Sequence, residues 1–445
     1  MTDRKRAWNG VATAVMVACS LPAAAARAQT ADLSSLQPRV ENGRQIYEAA
    51  QFARFSPRTA LDMVRQVPGF TIDTGDDDER GLGQDDENVL INGARISGKN
   101  IDAFTFLGRI SASNVVRIEI VDGATLSISG LSGQVLNLVT KADQASGLSG
   151  NFKWEPQWRR AGSNWFAGEA SVGGKLGKGE FTLSMENDAR RNGVEGPEQI
   201  TDRFGDLLFE RDEVARYRED QPKLSGSYSL TSDAGSVFNA NAAYQLYRKR
   251  ESVRTDRTQA GQPDIFEYYS SREDEWNAEF SADYEFSLGT GRLKLIGLQR
   301  FEHSPVSDFF GQTFFDGVTP PNGSRFDRVT DEGESILRGE YGWKTAGGTD
   351  WGISVEGAYN FLDNIGALSE LDAQGIFQPV PLTNADSKVT EYRGEMIGAY
   401  GRALSDNLAL QATLGGEYSK ISQSGARGES RSFVRPKGSV SLAWK

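Results

Sequence analysis

Chemistry in this 445-residue chain would have to come from very few specialised side chains. There is one histidine, His303, and one cysteine, Cys19. One imidazole and one thiol cannot build a zinc site from those ligands, and a lone cysteine closes no disulfide within the chain. A Cys–His or Ser–His pair would have to use His303, which has no nucleophile motif near it. The sequence places His303 between a strand and a loop containing Pro305, at a rim. The remaining chemical feature is an acidic run, Asp76, Asp77, Asp78 and Glu79, followed by Asp85, Asp86 and Glu87. Carboxylates crowded into one loop repel one another, and a cation or a cationic group of a ligand would relieve that. The plainer reading is a solvated loop, and the spacing does not match an EF-hand. Arg95 follows just beyond an Asn92-Gly93 turn. No convergent acid, base and nucleophile stand out, so the chain reads as a non-enzyme with no cofactor and no metal.

The elements that would position such loops follow an export signal. Arg4, Lys5 and Arg6 precede an apolar stretch from Val11 to Ala26, and Ala26-Arg27-Ala28 supplies a small-x-small cleavage pattern. The sequence therefore predicts a signal peptide over 1–28. Met16-Val17-Ala18-Cys19 is a weaker, lipoprotein-like alternative. The formal net charge of −12 argues against a nucleic-acid partner. Mean hydropathy is −0.48, and no apolar run after residue 28 approaches the ~18 residues of a spanning helix. Spanning strands escape that test, because only alternate residues meet lipid.

Residues 29–55 are polar and weakly periodic and read as a flexible leader. Residues 56–145 read as a small α+β domain. Ser56-Pro57 predicts a helix start with Pro57 in the first turn, and Pro68-Gly69 stops that helix. Asn88 to Gly93 reads as a strand and hairpin turn, Ile101 to Ile110 as a short helix containing Arg109, and Val115 to Val121 as a strand. Asp122-Gly123, Gly130 and Gly133 mark turns before a last strand, Val135 to Thr140.

Four of these segments, in order, resemble the plug domain of TonB-dependent outer-membrane receptors. Leu61 to Gly69 is similar to that family's segment ending in Pro-Gly, here Pro68 and Gly69. Val89 to Gly93 is similar to its strand and turn ending in Asn92 and Gly93. Arg117-Ile118-Glu119-Ile120-Val121-Asp122-Gly123 and Gly133 to Lys141, with Asn137, Thr140 and Lys141, resemble its final motifs. Gln134 stands where a second glycine is common.

Residues 146–445 alternate with period two. Ala278, Phe280, Ala282, Tyr284, Phe286 and Leu288 face one way, and Glu279, Ser281, Asp283, Glu285 and Ser287 the other. Segments 351–361, 224–230 and 408–418 behave alike, with Trp343, Trp351, Phe361, Tyr418 and Trp444 at the ends of apolar faces. Tight turns fall near 176–179, 231–236, 289–292, 345–349 and 405–407. Long polar loops are expected near 190–214, 251–267, 304–325 and 363–388. Around Lys294, Ile296 and Leu298 the two faces are mixed. The expected fold is an α+β plug followed by an antiparallel transmembrane β-barrel. Roughly 12 strands are expected against about 22 in plugged receptors, and Lys445 is not the aromatic residue usual at the family's C-terminus. The barrel is therefore expected to be partial.

The resemblance implies a receptor in the Gram-negative outer membrane that binds a scarce, bulky solute such as a siderophore, cobalamin or oligosaccharide and imports it to the periplasm. It implies TonB as the periplasmic partner, through the leader, with outer-membrane lipid around the barrel. Plug loops would contact the solute, with Asp76, Asp77, Asp78, Glu79, Asp85, Asp86, Glu87 and Arg95 as candidates. A structural or adhesive barrel protein without transport, or a truncated inactive receptor, are the alternatives.

Overall fold

The computed structural model describes residues 36–41, 43–73, 88–95, 103–123, 126, 133–141, 148–159, 162–383, 385–405, 408–425 and 428–444. The predicted signal peptide, Gly130 and both halves of the acidic run lie outside the described residues. The chain divides between Gln37 and Pro38, and every element below belongs to the second unit.

The first sheet is mixed and has six strands. β1 (Arg39–Glu41), β2 (Arg44–Glu48), β3 (Val89–Ile91), β4 (Ala94–Arg95), β5 (Val115–Asp122) and β6 (Gln134–Thr140) run in the spatial order β1-β2-β5-β6-β3-β4. β3 and β6 are parallel and the other pairs antiparallel. Two short helices, α1 (Ala60–Val64) and α2 (Ala103–Arg109), pack against each other. The core is aliphatic, with Leu90, Leu107, Ile118, Leu136 and Leu138 all at 1 % exposure or less. Truncating any of these to Ala typically costs about 2–5 kcal/mol.

Two expectations for this region need correction. Residues 39–48 form β1 and β2 of the sheet, and Ala49–Phe55 forms a 3₁₀ helix burying Phe52, so residues 39–55 are not a leader. The first α-helix begins at Ala60, not at Pro57. Thr59 caps it, accepting from the Asp62 N–H at 3.3 Å, while Asp62 accepts from the N–H groups of Thr59 and Arg58 at 3.0 and 2.9 Å. That reciprocal cap outcompetes proline as a start signal, and Ser56 sits at φ 50° in the bend before it.

The second sheet is antiparallel throughout. Its strands are β7 (Ser149–Trp154), β8 (Gly168–Leu176), β9 (Gly179–Thr201), β10 (Leu207–Thr231), β11 (Val237–Thr258), β12 (Ile265–Leu288), β13 (Gly291–Phe314), β14 (Asn322–Lys344), β15 (Thr349–Leu371), β16 (Phe377–Val380), β17 (Ser387–Ser405), β18 (Leu408–Ser424) and β19 (Glu429–Trp444). They pair in chain order from β7 to β19, with short β16 alongside β15 only. Twelve strands make the path, as expected, and among the described residues β7 and β19 are its two edges. The predicted tight turns near 176–179, 231–236, 289–292 and 345–349 fall where expected, and residues 406–407 lie outside the described residues. The predicted long loops are mostly strand, with short connections left within them such as 259–264, 315–321 and 372–376: Arg190 to Val214, for example, is the upper half of a hairpin whose ladder runs to Thr201 and Leu207. Polar residues there are ladder residues with water or the interior on both faces, which removes the alternation that marks a strand.

The sheet is inside out. Ser281, Asp283, Glu356, Arg393, Glu417 and Ser419 are buried, whereas Phe280, Leu337, Val355, Met396, Leu414 and Val440 are exposed. A water-soluble sandwich buries the opposite face. The mixed stretch resolves on the buried face. Lys294 reaches Asp283 at 3.7 Å, and Leu298 joins Ile336 and Ala358 in a small apolar island.

Aromatic rings bound the exposed apolar face at two heights. Tyr341, Trp343, Trp351 and Tyr400 touch in sequence at 5.4, 6.4 and 5.0 Å between centroids. Tyr244, Trp276, Phe301 and Phe361 form the other belt at 6.1, 5.2 and 6.2 Å. Gly333 makes the second belt continuous, because the Phe361 ring lies where its Cβ would stand. Trp351 and Phe361 are ten residues apart on β15. That is about 33 Å of strand, or roughly 24 Å of height at a 45° tilt, matching the ~25 Å apolar band of outer-membrane barrels.

His303 lies within β13, just beyond this belt. Its Nδ1 is 2.6 Å from Asp331 Oδ1 and its ring is 6.1 Å from Trp276. Pro305 is also a ladder residue, opposite Val329, and no β12 residue is paired with it. The missing N–H thus faces a gap in the ladder.

Candidate functional site

The residues that carry the plug resemblance assemble into one hydrogen-bonded lock. β5 and β6 set Glu119 opposite Asn137. The Glu119 carboxylate, 3 % exposed, receives Arg117 Nε at 2.7 Å, Arg44 Nη1 at 3.1 Å and Asn137 Nδ2 at 3.2 Å. Asn137 Oδ1 then accepts from the Gly93 N–H at 2.7 Å. Asn92 donates to Thr140 Oγ1 and accepts from the Thr140 N–H, both at 2.9 Å. Asn92 and Gly93 have φ of 50° and 82°, the left-handed pair a two-residue hairpin turn demands. Gly123 N–H donates to the Gly133 carbonyl at 2.7 Å, closing the last turn, and Lys141 N–H donates to the Asn114 carbonyl at 2.9 Å. Pro68 and Gly69, at φ 73°, terminate the α1 segment.

Among the described residues these side chains therefore build the domain. The network joins β2, β3, β5 and β6, and Arg44, absent from the sequence reading, is part of it. Nothing short of the register could have revealed Arg44, because it precedes the matched motifs in sequence. Arg95 lies in β4, opposite Leu90, and its side chain is outside the described residues.

Burial pushes the Glu119 carboxyl up, but hydrogen bonds from Arg117 and Asn137 and the charges of Arg117 and Arg44 outweigh it and hold the carboxyl below its ordinary value. A carboxyl with a lowered folded-state pKa stabilises the fold above its unfolded pKa, about 4.3, and that stability is lost as pH falls through the lower folded value. Glu119→Gln is expected to cost about 1.5–3 kcal/mol at neutral pH, read as faster amide exchange in β5 and β6. The difference from wild type should shrink as pH is lowered below ~4. Equal exchange at pH 7 would show that the lock does not hold the sheet.

The first domain faces the polar side of the second sheet across a cavity of about 410 Å³. Arg58, Asn92, Arg109, Asn114 and Thr140 line it from one side, and Asn151, Glu180, Thr182, Ser229 and Asn239 from the other. Direct links across it are polar and long. Asn151 Nδ2 donates to the Gly108 carbonyl at 3.4 Å, and Arg109 lies 3.7 Å from the Glu186 carboxylate. Ile91, Phe106, Ile110, Phe181, Tyr228 and Val237 also line the cavity, so the seam is mixed and its apolar patches oppose separation of the walls.

Further round the same face lies a buried ionic ladder. Arg338 reaches Glu340, Glu356 and Glu395 at 2.7, 3.2 and 3.7 Å. Arg393 reaches Glu356 at 2.8 Å, and Lys437 reaches Glu395 and Glu417 at 2.5 and 2.8 Å. Every one of these charges has an opposite neighbour, which is what makes their burial tolerable. The sequence showed these residues only as the polar half of an alternation.

Comparison with known proteins bears on the first domain most directly. Residues 39–133 match the family described as TonB-dependent Receptor Plug Domain. Among solved structures, the ferric yersiniabactin uptake receptor FyuA from Yersinia pestis is 12% identical, with 91% of this chain and 81% of that one covered and a TM-score of 0.26. The ferric citrate transporter FecA is 11% identical, with coverages of 89% and 78% and a TM-score of 0.29. The alcaligin outer-membrane receptor FauA from Bordetella pertussis is 12% identical, with coverages of 91% and 90% and a TM-score of 0.21. No curated protein matches.

Proposed function

We propose that this chain, whose residues 39–133 are a TonB-dependent receptor plug domain ahead of an inside-out antiparallel sheet, is an outer-membrane receptor that binds a bulky solute and admits it to the periplasm. The observation that carries this reading is the pairing of two features. The sheet turns an apolar, ring-bounded face outward, and the plug meets its polar face across a cavity lined by polar and apolar side chains alike. A molecule built this way does no covalent chemistry. Solute captured on the far side must be coupled to loosening of the plug, and that coupling is a difference in solute affinity between the seated and loosened plug.

TonB supplies the work, through a main-chain strand contact made by the segment before Arg39. The acidic loop containing Asp76 to Glu79 and Asp85 to Glu87, together with Arg95, is proposed to meet the solute from the plug. Iron chelates, cobalamin and oligosaccharides are the candidate solute classes.

Because β1 and β2 belong to the plug sheet, the informative deletion is 29–38, which leaves every plug strand in place. Cells carrying the full chain should accumulate one of a radiolabelled iron chelate, cobalamin or oligosaccharide. The deletion should reduce that uptake at least tenfold with unchanged outer-membrane levels. Accumulation that persists undiminished after the deletion and after collapse of the proton gradient would reject energised import, in favour of a passive or structural barrel.

A further inference from the structure

Arg191 on β9, Arg218 on β10, Arg250 on β11 and Arg272 on β12 occupy one register row, each directly opposite the next. They share the parity of exposed Met185, Leu224, Tyr244 and Phe280 on their own strands, so all four leave the sheet on its apolar side. Directly opposed like charges destabilise a strand pair, and here three such pairs follow in succession. The counter-charge on that face is partial. Asp220 takes Arg191 through two hydrogen bonds of 2.7 and 2.8 Å, and Asp274 takes Arg250 and Arg272 at 2.5 and 2.6 Å.

Arg218, Arg216 one row further out, and Arg248 one row nearer the aromatic belt are exposed. Arg248 stands directly opposite Asp220 and Asp274, whose carboxylates are taken by the neighbouring row, and no ion pair to Arg216, Arg218 or Arg248 forms among the described residues. Over these three rows of β9 to β12 the outward side carries six arginines against two aspartates, in a chain whose net charge is −12. Arg272 lies four residues beyond the belt residue Trp276. That is about 13 Å of strand, or roughly 9 Å of height at a 45° tilt, the depth at which lipid headgroups begin.

We propose that this row is a docking surface for the phosphorylated headgroup of an outer-leaflet lipid. The proposal rests on the outer-membrane reading above. Guanidinium groups match phosphate oxygens in pairs, and four strands ~4.8 Å apart present a cationic strip about 14 Å wide. That width suits a headgroup bearing more than one phosphate. The strip borders the lipid belt and lies on the opposite side of the sheet from the plug, so a solute in the interior cannot reach it.

The test reconstitutes the full chain into phosphatidylcholine nanodiscs doped with bisphosphorylated lipid A or with its dephosphorylated form, and counts retained lipid by native mass spectrometry. Wild type should retain the phosphorylated form selectively. Arg216→Gln/Arg218→Gln/Arg248→Gln should bind it about 100-fold more weakly, at about fivefold per cation, while the triple Lys variant stays within about tenfold of wild type. Equal retention of both lipids, or a triple Gln variant that binds like wild type, would overturn the lipid site. Full competition by soluble pyrophosphate would overturn it too, in favour of a free anion. Failure of the wild type to insert into either disc would overturn the outer-membrane reading itself, and the lipid site with it.

Discussion

Leu337→Arg is expected to destabilise the bilayer-embedded protein by about 2–4 kcal/mol, although Leu337 is 70 % exposed. In a water-soluble protein an exposed leucine without close packing tolerates such a change within about 0.5 kcal/mol. Here Leu337 has Gly297 and Gly357 as its register partners, so little side-chain packing is at stake. It lies four residues from the outer belt at Gly333 and six from Trp343, near the middle of the apolar band. The cost would come almost wholly from placing a guanidinium in hydrocarbon. Urea titration of the protein folded into phospholipid vesicles measures it. A change below ~0.5 kcal/mol would mean that this face does not meet lipid.

On the opposite face, Glu356→Ala should cost about 3–5 kcal/mol. Glu356 is 4 % exposed and sits between Arg338 and Arg393, and its removal leaves two buried guanidinium groups short of counter-charge. Replacing Glu356, Arg338 and Arg393 together by Leu, Met and Met should recover most of that loss, since a buried ionic set and an apolar set of similar volume are often close in energy. The two substitutions address different solvents. Leu337→Arg reports on lipid and Glu356→Ala on the interior. A loss below about 1 kcal/mol for Glu356→Ala would show that water reaches the ladder freely.

The plug was legible because its motifs are short and local. Asn92-Gly93 needs left-handed backbone, and Glu119, Asn137 and Thr140 recur at fixed offsets from one strand to the next. The strands between the belts were legible for the same reason, since lipid on one side enforces alternation from Phe280 to Leu288. Beyond the belts that pressure disappears. Arg211, Asp212 and Glu213 follow one another in β10, and such a run reads as a loop although it is fully laddered. Thr59 and Asp62 were passed over for Ser56-Pro57 because a capping box and an N-terminal proline compete for the same few residues. The arginine row was invisible for a further reason. Its members are 22 to 32 residues apart in sequence and become neighbours only through the register of three hairpins.

The overshoot of the strands beyond the outer belt bears on how the molecule could seal itself. On β15 ten residues of continuous ladder run from Phe361 to Leu371, and the neighbouring strands rise with them. A flexible rim could fold over its catch like a drawstring. A laddered one is a fixed funnel, because bending it inward breaks inter-strand hydrogen bonds by the row. With such a rim fixed, the proposed receptor would have to hold its solute at the plug. On the proposed receptor reading, the seam between plug and wall would then be the valve, and a solute would commit to passage by what it does at that seam.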